Sequence, residues 1–369
     1  MIYLDHNATT FPSPTVLQKV QAQLSTPLGN PSSVHQQGRM AKGIIEQSRL
    51  TVAKALQVSN RNLTFCSSAT EAIHLALCGF LSARDHVLVS AVEHPAVWGA
   101  LEVIGAEIEI ISVDSQGKID PKVITAKIRK DTKLVIVMAG QNEIGNLYPI
   151  EAIAKAIAPI PLFCDGVQAL GKVPFYPEKL GCAMSVFSGH KIGGILGCGV
   201  LWTKPGIILK PYMAGGAQER GRRAGTENTL AITAFAEACA ILPDRLTQME
   251  EVAKQRDWLI QSLQSKLPKI IIHGDLDSRL PNTISCRIDG LDGELCLQAL
   301  DLKQVCLSSG SACSSGALEP SKVLKALGLT DTQARSGLRI SLGIQTTWHE
   351  LERFVTIFCD VVAQLKLNP

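Results

Sequence analysis

Apolar and polar residues follow two rhythms along this chain. Short unbroken apolar runs, each ending in a polar group, fall at 87–90, 108–113, 134–138, 161–164, 183–187 and 199–202. Runs of that length without internal alternation fit strands covered on both faces. Between them, at 36–56, 71–81, 150–156 and 230–242, apolar residues recur at helical spacing. Strands and helices taken in turn predict an α/β fold with a mainly parallel sheet under a layer of helices. Near residue 250 the rhythm changes. A polar-faced helix is expected over 250–267, stopped by Pro268, then shorter strands and loops, and a closing helix over 349–365.

Composition narrows the class. A chain of 369 residues is long enough for two domains and a large core. With 46% hydrophobic and 19% charged residues it fits an ordinary soluble enzyme. Net charge is only +3, and Arg220, Arg222 and Arg223 are the one small basic group, so no nucleic-acid partner is expected. Residues 1–6 show no basic region followed by an apolar core, and the longest apolar runs, such as 134–139, are strand-length. Neither a secretory signal nor a membrane span is expected. The eleven cysteines are odd in number and none form C-x-x-C. That argues against a disulfide framework or a structural zinc site, and for a reduced, cytoplasmic protein with no metal. Most of the cysteines are expected to be small buried hydrophobes.

Candidate chemistry collects where strands end. The run through Phe187 passes straight into Ser188-Gly189-His190-Lys191. Side chains past the carboxyl ends of parallel strands face the usual ligand crevice, and a lysine there can form a Schiff base with an aldehyde. One strand earlier, Phe163-Cys164 ends in Asp165, a carboxylate that could keep a pyridine nitrogen protonated. Ser67-Ser68-Ala69-Thr70-Glu71 turns a strand into a helix, and a helix N-terminus of small residues suits a phosphate. His94, after another strand, could stack on a flat cofactor. Each has an ordinary structural reading when taken alone: a solvated lysine, a capping aspartate, a capping sequence, a hydrogen-bonded histidine. Cys313 differs. It lies in Ser308-Ser309-Gly310-Ser311-Ala312-Cys313-Ser314-Ser315-Gly316, with no bulky neighbour to bury it, and an exposed thiol is a liability unless it is used.

Together these segments resemble the class V aminotransferase-fold enzymes, specifically the cysteine desulfurases of the NifS/IscS type. The resemblance covers nearly the whole chain and runs in order through eleven segments. They start at 4–10, 29–35, 69–71, 93–95, 142–145, 165–168 and 188–191. The last four are 215–220, 225–228, Gly310-Ser311-Ala312-Cys313 and 338–341.

It implies a PLP-dependent transferase fold of type I, with a large α/β domain over 15–250. A smaller α+β domain would be made of 1–14 and 251–369 and carry the Cys313 loop. It implies pyridoxal 5'-phosphate held by Lys191, with Asp165 on the ring nitrogen, Asn142 and Gln168 near the ring hydroxyl and His94 stacked on the ring. Ala69, Thr70, Ser188 and His190 would hold the phosphate. Thr226 would cross to the same phosphate in the other subunit of a homodimer. Asn7, Ala8, Asn142 and Arg339 would form the substrate site, with Arg339 clamping the carboxylate of L-cysteine. Lys191 would move the Cα proton, with His94 as a second carrier. Cys313 would take the sulfur as a persulfide, for delivery to an acceptor such as an iron–sulfur scaffold protein.

A class V aminotransferase or a cystine/selenocysteine lyase would need Lys191 and Asp165 but not Cys313; a non-catalytic scaffold would need none of them. The chain departs from the family pattern at Ser68, usually glycine, and at Ile73-His74, Ile195-Leu196 and Ala217. None of these removes a group the chemistry requires.

Overall fold

A computed structural model describes residues 1–309 and 320–367 of the chain. Cys313 and its immediate neighbours lie outside the described residues.

The first strand, β1 (Ile2–Tyr3), belongs to the C-terminal part of the molecule. The central sheet comes next. Its strands are β2 (Leu63–Cys66), β3 (His86–Ser90), β4 (Glu107–Ile111), β5 (Thr132–Ile136), β6 (Leu162–Asp165), β7 (Met184–Ser188) and β8 (Gly199–Thr203). Their spatial order is β2-β8-β7-β6-β5-β3-β4. From β7 across to β4 every pairing is parallel, and only β8 runs against its neighbours. The central strands are almost wholly buried, as their unbroken apolar runs require. Edge strand β4 instead sets Glu107 and Glu109 among its isoleucines and is largely exposed. Charges of that kind protect an edge from pairing with another chain.

The helix expected over 36–56 forms as Gln36–Leu56. His35 caps its start, and Gln57, in the left-handed conformation, ends it. Its buried face, including Ala41, Ile45, Val52 and Leu56, packs on helix Thr229–Ala240. Residues 243–249, which the pattern left between the expected helices over 230–242 and 250–267, are helical. A single helix runs Leu242–Lys266, starting directly after Thr229–Ala240. Pro243 sits in its first turn, where its missing N–H would have no partner anyway, so the helix starts there at no cost. Three other helices, Pro14–Leu24, Pro95–Ile104 and Pro121–Thr125, have proline as their first residue.

The C-terminal third holds β9 (Ile270–His273), β10 (Thr283–Ile288), β11 (Val305–Cys306), β12 (Ser308–Ser309) and β13 (Gly337–Ser341). Four of them form an antiparallel sheet in the order β12-β13-β10-β9, while β11 pairs with β1. The N-terminus is bound into this region. Ile2 and Leu4 share a core with Met249, Leu259, Ile284, Phe354 and Phe358, and His6 donates its backbone N–H to the Ser341 carbonyl. Burying a side chain such as Phe354 or Phe358 contributes about 2 kcal/mol. Val323, Leu324, Leu327 and Ala334, though late in sequence, join the core beneath the large sheet.

Candidate active site

Because β3, β5, β6 and β7 are parallel neighbours, their carboxyl ends share one edge of the sheet. The chain leaves β3 into Glu93 and His94, β5 into Gln141 and Asn142, β6 at Asp165 and β7 at Ser188. A single tight turn, Gly189–Lys191, then sets Lys191 at that edge. Its Nζ donates to the backbone carbonyls of Asn7, at 2.6 Å, and Ala8, at 2.5 Å.

The electrostatics of the strand-end groups are those of a partly desolvated cluster beside Lys191. Burial pushes the Asp165 carboxyl up to about 6, against the Val167 N–H and the Lys191 charge, which pull it down. Burial and then the Lys191 charge lower His94 to about 4, and the same two causes lower His190 to about 4. Both imidazoles are therefore neutral near pH 7. The His94 Nδ1 accepts from the Ala96 N–H at 3.1 Å, so its proton sits on Nε2. Beside it, Glu93 accepts from the Met138 N–H at 2.7 Å through Oε1, while Oε2 is buried with no hydrogen-bond partner among the described residues. Burial, then the charge of Asp165, push that carboxyl up to about 8.

An anion cradle forms where β2 gives way to helix Ala69–Phe80. Gly199, opening β8, lies so close that a Cβ there would come within 2.2 Å of the Ser68 carbonyl carbon, so only glycine fits. Ser68 caps the helix by accepting from the Glu71 N–H at 3.1 Å, which a glycine could not do. Glu71 reaches back to the Ser67 N–H at 2.7 Å and is held by Arg223 at 2.6 Å. The backbone N–H groups of Ala69 and Thr70 then find no acceptor among the described residues. Thr70 is exposed beside them. Ser188 is buried at the end of β7, and His190 Nδ1 lies 3.1 Å from Thr9 Oγ1. Thr226 is exposed, and no hydrogen bond joins it to the Lys191 group among the described residues.

The N-terminal loop and β13 close the other side. Arg339 is 2% exposed, and its fork is largely engaged. Nη2 donates to Asp5 Oδ1 at 2.7 Å and Nη1 to the Asn142 carbonyl at 3.2 Å, while Nε is buried with no hydrogen-bond partner among the described residues. Ala8 stays partly open, but Asn7 is buried inside a polar network. Its Nδ2 donates to Thr283 Oγ1 and to the Asn142 carbonyl, and its Oδ1 accepts from Asn282 and Lys172. Gln168 Nε2 donates to the Asn7 carbonyl at 3.0 Å. Sequence reasoning missed Thr9, Lys172, Asn282 and Thr283. Only Lys172 carried a local signal, four residues beyond Gln168 on the same turn.

These residues fit pyridoxal 5'-phosphate. A strand-end lysine could carry its aldehyde carbon, and the buried Asp165 carboxylate could receive a pyridinium N–H. A helix N-terminus with two unpartnered N–H groups suits its phosphate. Of the ten described cysteines, seven are buried and only Cys78, Cys306 and Cys359 are partly exposed.

Comparison with known proteins places the chain in a family and a fold. The sequence profile described as aminotransferase class-V matches residues 2–354. The chain is 37% identical over 379 residues to the cysteine desulfurase of Nostoc sp., covering 100% of this chain and 95% of that protein. It aligns with the X-ray structure of a NifS-like protein from Rickettsia africae at TM-score 0.90 and 34% identity, over 98% of this chain and 99% of that one. A structure of SspA in complex with cysteine aligns at TM-score 0.79 and 27% identity, over 94% of this chain and 100% of that one. The expected fold, the PLP-dependent transferase fold of type I, is the one these structures share with the chain.

Proposed function

The chain belongs to the aminotransferase class-V family, and from that premise we propose that it is a cysteine desulfurase. It converts L-cysteine to L-alanine and leaves the sulfur on Cys313 as a persulfide. The observation that carries this reading is the meeting of Lys191, Asp165 and His94 at one sheet edge, closed by Arg339 from the far end of the chain. Relatives that carry the desulfurase name match over the full length, and a similar structure holds cysteine. Both support L-cysteine as the substrate.

Family membership implies pyridoxal 5'-phosphate, which when bound supplies an electron sink that acidifies the substrate Cα–H. The remaining work falls to the protein. Lys191 Nζ would hold the aldehyde carbon of the cofactor, and its amine is the group placed to take the Cα proton. His94, neutral with its proton on Nε2, is a second carrier at the same edge. Arg339 turns its unpartnered Nε toward the substrate carboxylate, with Asp5 giving up part of the guanidinium. The Cys313 thiolate then attacks the substrate sulfur. An S–S bond forms as the Cβ–S bond breaks, and the electron pair of that bond stays with carbon, which takes up a proton to become the methyl group of alanine. The sulfur passes on to an acceptor such as an iron–sulfur scaffold protein. In this reading the enzyme is a cytoplasmic homodimer in which the partner subunit's Thr226 completes the phosphate cradle.

The test is alanine release from L-cysteine by the cofactor-loaded enzyme, with mass spectrometry after a cysteine pulse. The expected result is added sulfur on the peptide containing Cys313, and almost no steady-state alanine from Cys313→Ser. Alanine made by Cys313→Ser at the parent rate would sink the reading and put a class V aminotransferase or a lyase ahead.

A further inference from the structure

Lys172 is 4% exposed, in the turn that follows β6 and four residues beyond Gln168. Among the described residues no carboxylate pairs with it. The charged groups around it are the cations Lys191, Arg245 and Arg339. Its Nζ donates to Asn7 Oδ1 at 2.6 Å and to Gln168 Oε1. Burial, then those three cations, hold the amine well below the ordinary lysine range. Neutral or charged, a primary amine keeps at least two N–H bonds, which match these two oxygens.

The pairing has a consequence for amide direction. Asn and Gln side chains can present either oxygen or nitrogen, and a donor beside them removes the choice. With Lys172 donating, Asn7 must aim Oδ1 at it, so Nδ2 points to the Asn142 carbonyl and Thr283 Oγ1. Gln168 must aim Oε1 at it, so Nε2 points to the Asn7 carbonyl. That same carbonyl receives Lys191 Nζ. The amine thus fixes the Gln168 amide and, together with Asn282, whose Nδ2 donates to the same Asn7 Oδ1, the Asn7 amide; the two carry the shelf on which Lys191 rests.

We infer that Lys172 is a positioning residue that sets the direction of the Gln168 and Asn7 amides, and through them the seat of the cofactor beside Lys191. The inference rests on the proposal that this site binds pyridoxal 5'-phosphate. Lys172→Met keeps the length of the side chain and removes the donor, leaving the buried Gln168 Oε1 without its partner and Asn7 Oδ1 with Asn282 alone.

The experiment is equilibrium binding of pyridoxal 5'-phosphate to the full chain, read by its absorbance, for the parent, Lys172→Met, Gln168→Ala and the double variant. Lys172→Met is expected to weaken binding about tenfold or more. The double variant is expected to be no more than about twofold weaker than the weaker single variant, because residues that act through one another are not additive. Parent-like affinity in Lys172→Met overturns the inference, even if the melting temperature of the cofactor-free protein has fallen. Multiplying losses in the double variant overturn it too. Should Lys172→Met fail to fold, the same cycle is run with Lys172→Gln, which keeps amide N–H donors on a shorter stem and is expected to lose less. A parent that does not bind the cofactor would instead refute the functional reading itself.

Discussion

The two walls of the candidate site are built in different ways. One wall is the carboxyl edge of β7, β6, β5 and β3, where Lys191, Asp165, Asn142 and His94 each sit just past a buried strand. The other is a lattice of hydrogen bonds between the N-terminal loop and the C-terminal sheet. There Asn7 N–H meets Ser341 Oγ at 2.9 Å, and Arg339 meets Asp5 at 2.7 Å, across 334 residues in each case. Topology places the first wall: once the strands are parallel and adjacent, their ends must converge. Side-chain complementarity places the second, so each member depends on the others. Chemistry is therefore expected to fail when the first wall is changed, and binding or orientation when the second is changed.

The largest effect is expected on the first wall. Lys191→Ala should lower alanine formation by roughly a thousandfold or more, since it removes both the covalent anchor and the proton acceptor. It should also leave no cofactor trapped on protein by borohydride. Trapped cofactor at the parent level would transfer the role to another lysine and break the contrast at its strongest point.

Arg339→Ala, on the second wall, should raise the KM for cysteine about tenfold with a smaller change in kcat, as loss of a charged hydrogen bond to the substrate carboxylate predicts. An unchanged KM would remove Arg339 from the substrate site and reduce its bond with Asp5 to a structural one.

The smallest effect concerns Glu93, behind the first wall. Its folded-state pKa, raised to about 8, lies above that of an unfolded glutamate. The folded chain therefore binds the proton more tightly. The stability this gives is fully present below the unfolded pKa and is lost as pH rises through the folded one. Melting curves of cofactor-free Glu93→Gln and parent should separate in favour of Gln from about pH 4.5 to about pH 8, then run level. A constant offset across that range would show that Glu93 titrates normally.

The first wall was also the legible one. Unbroken apolar runs announced β3, β5, β6, β7 and β8, and the polar residue ending each run marked Lys191, Asp165 and His94 as candidates. The helix over 36–56 followed from its spacing alone, with bounds that hold. Boundaries fared worse where proline starts a helix. The pattern ended one helix at 242 and began the next at 250, whereas Pro243 sits in the first turn of the helix Leu242–Lys266. The reversed direction of β8 left no mark either, because strand periodicity is the same in both directions.

Residue order and hydrophobic period thus determined the sheet, its helices and the three strand-end groups on which the proposed function rests, since these depend on neighbours within a few positions. The tertiary structure alone decided that Asp5 occupies Arg339, that Asn7 is buried rather than open to a ligand, and that Lys172 lies between Asn7 and Gln168. Those outcomes turn on which buried donor finds which acceptor. Partners hundreds of residues apart are chosen by the closed fold, in which every buried polar group must be satisfied at once.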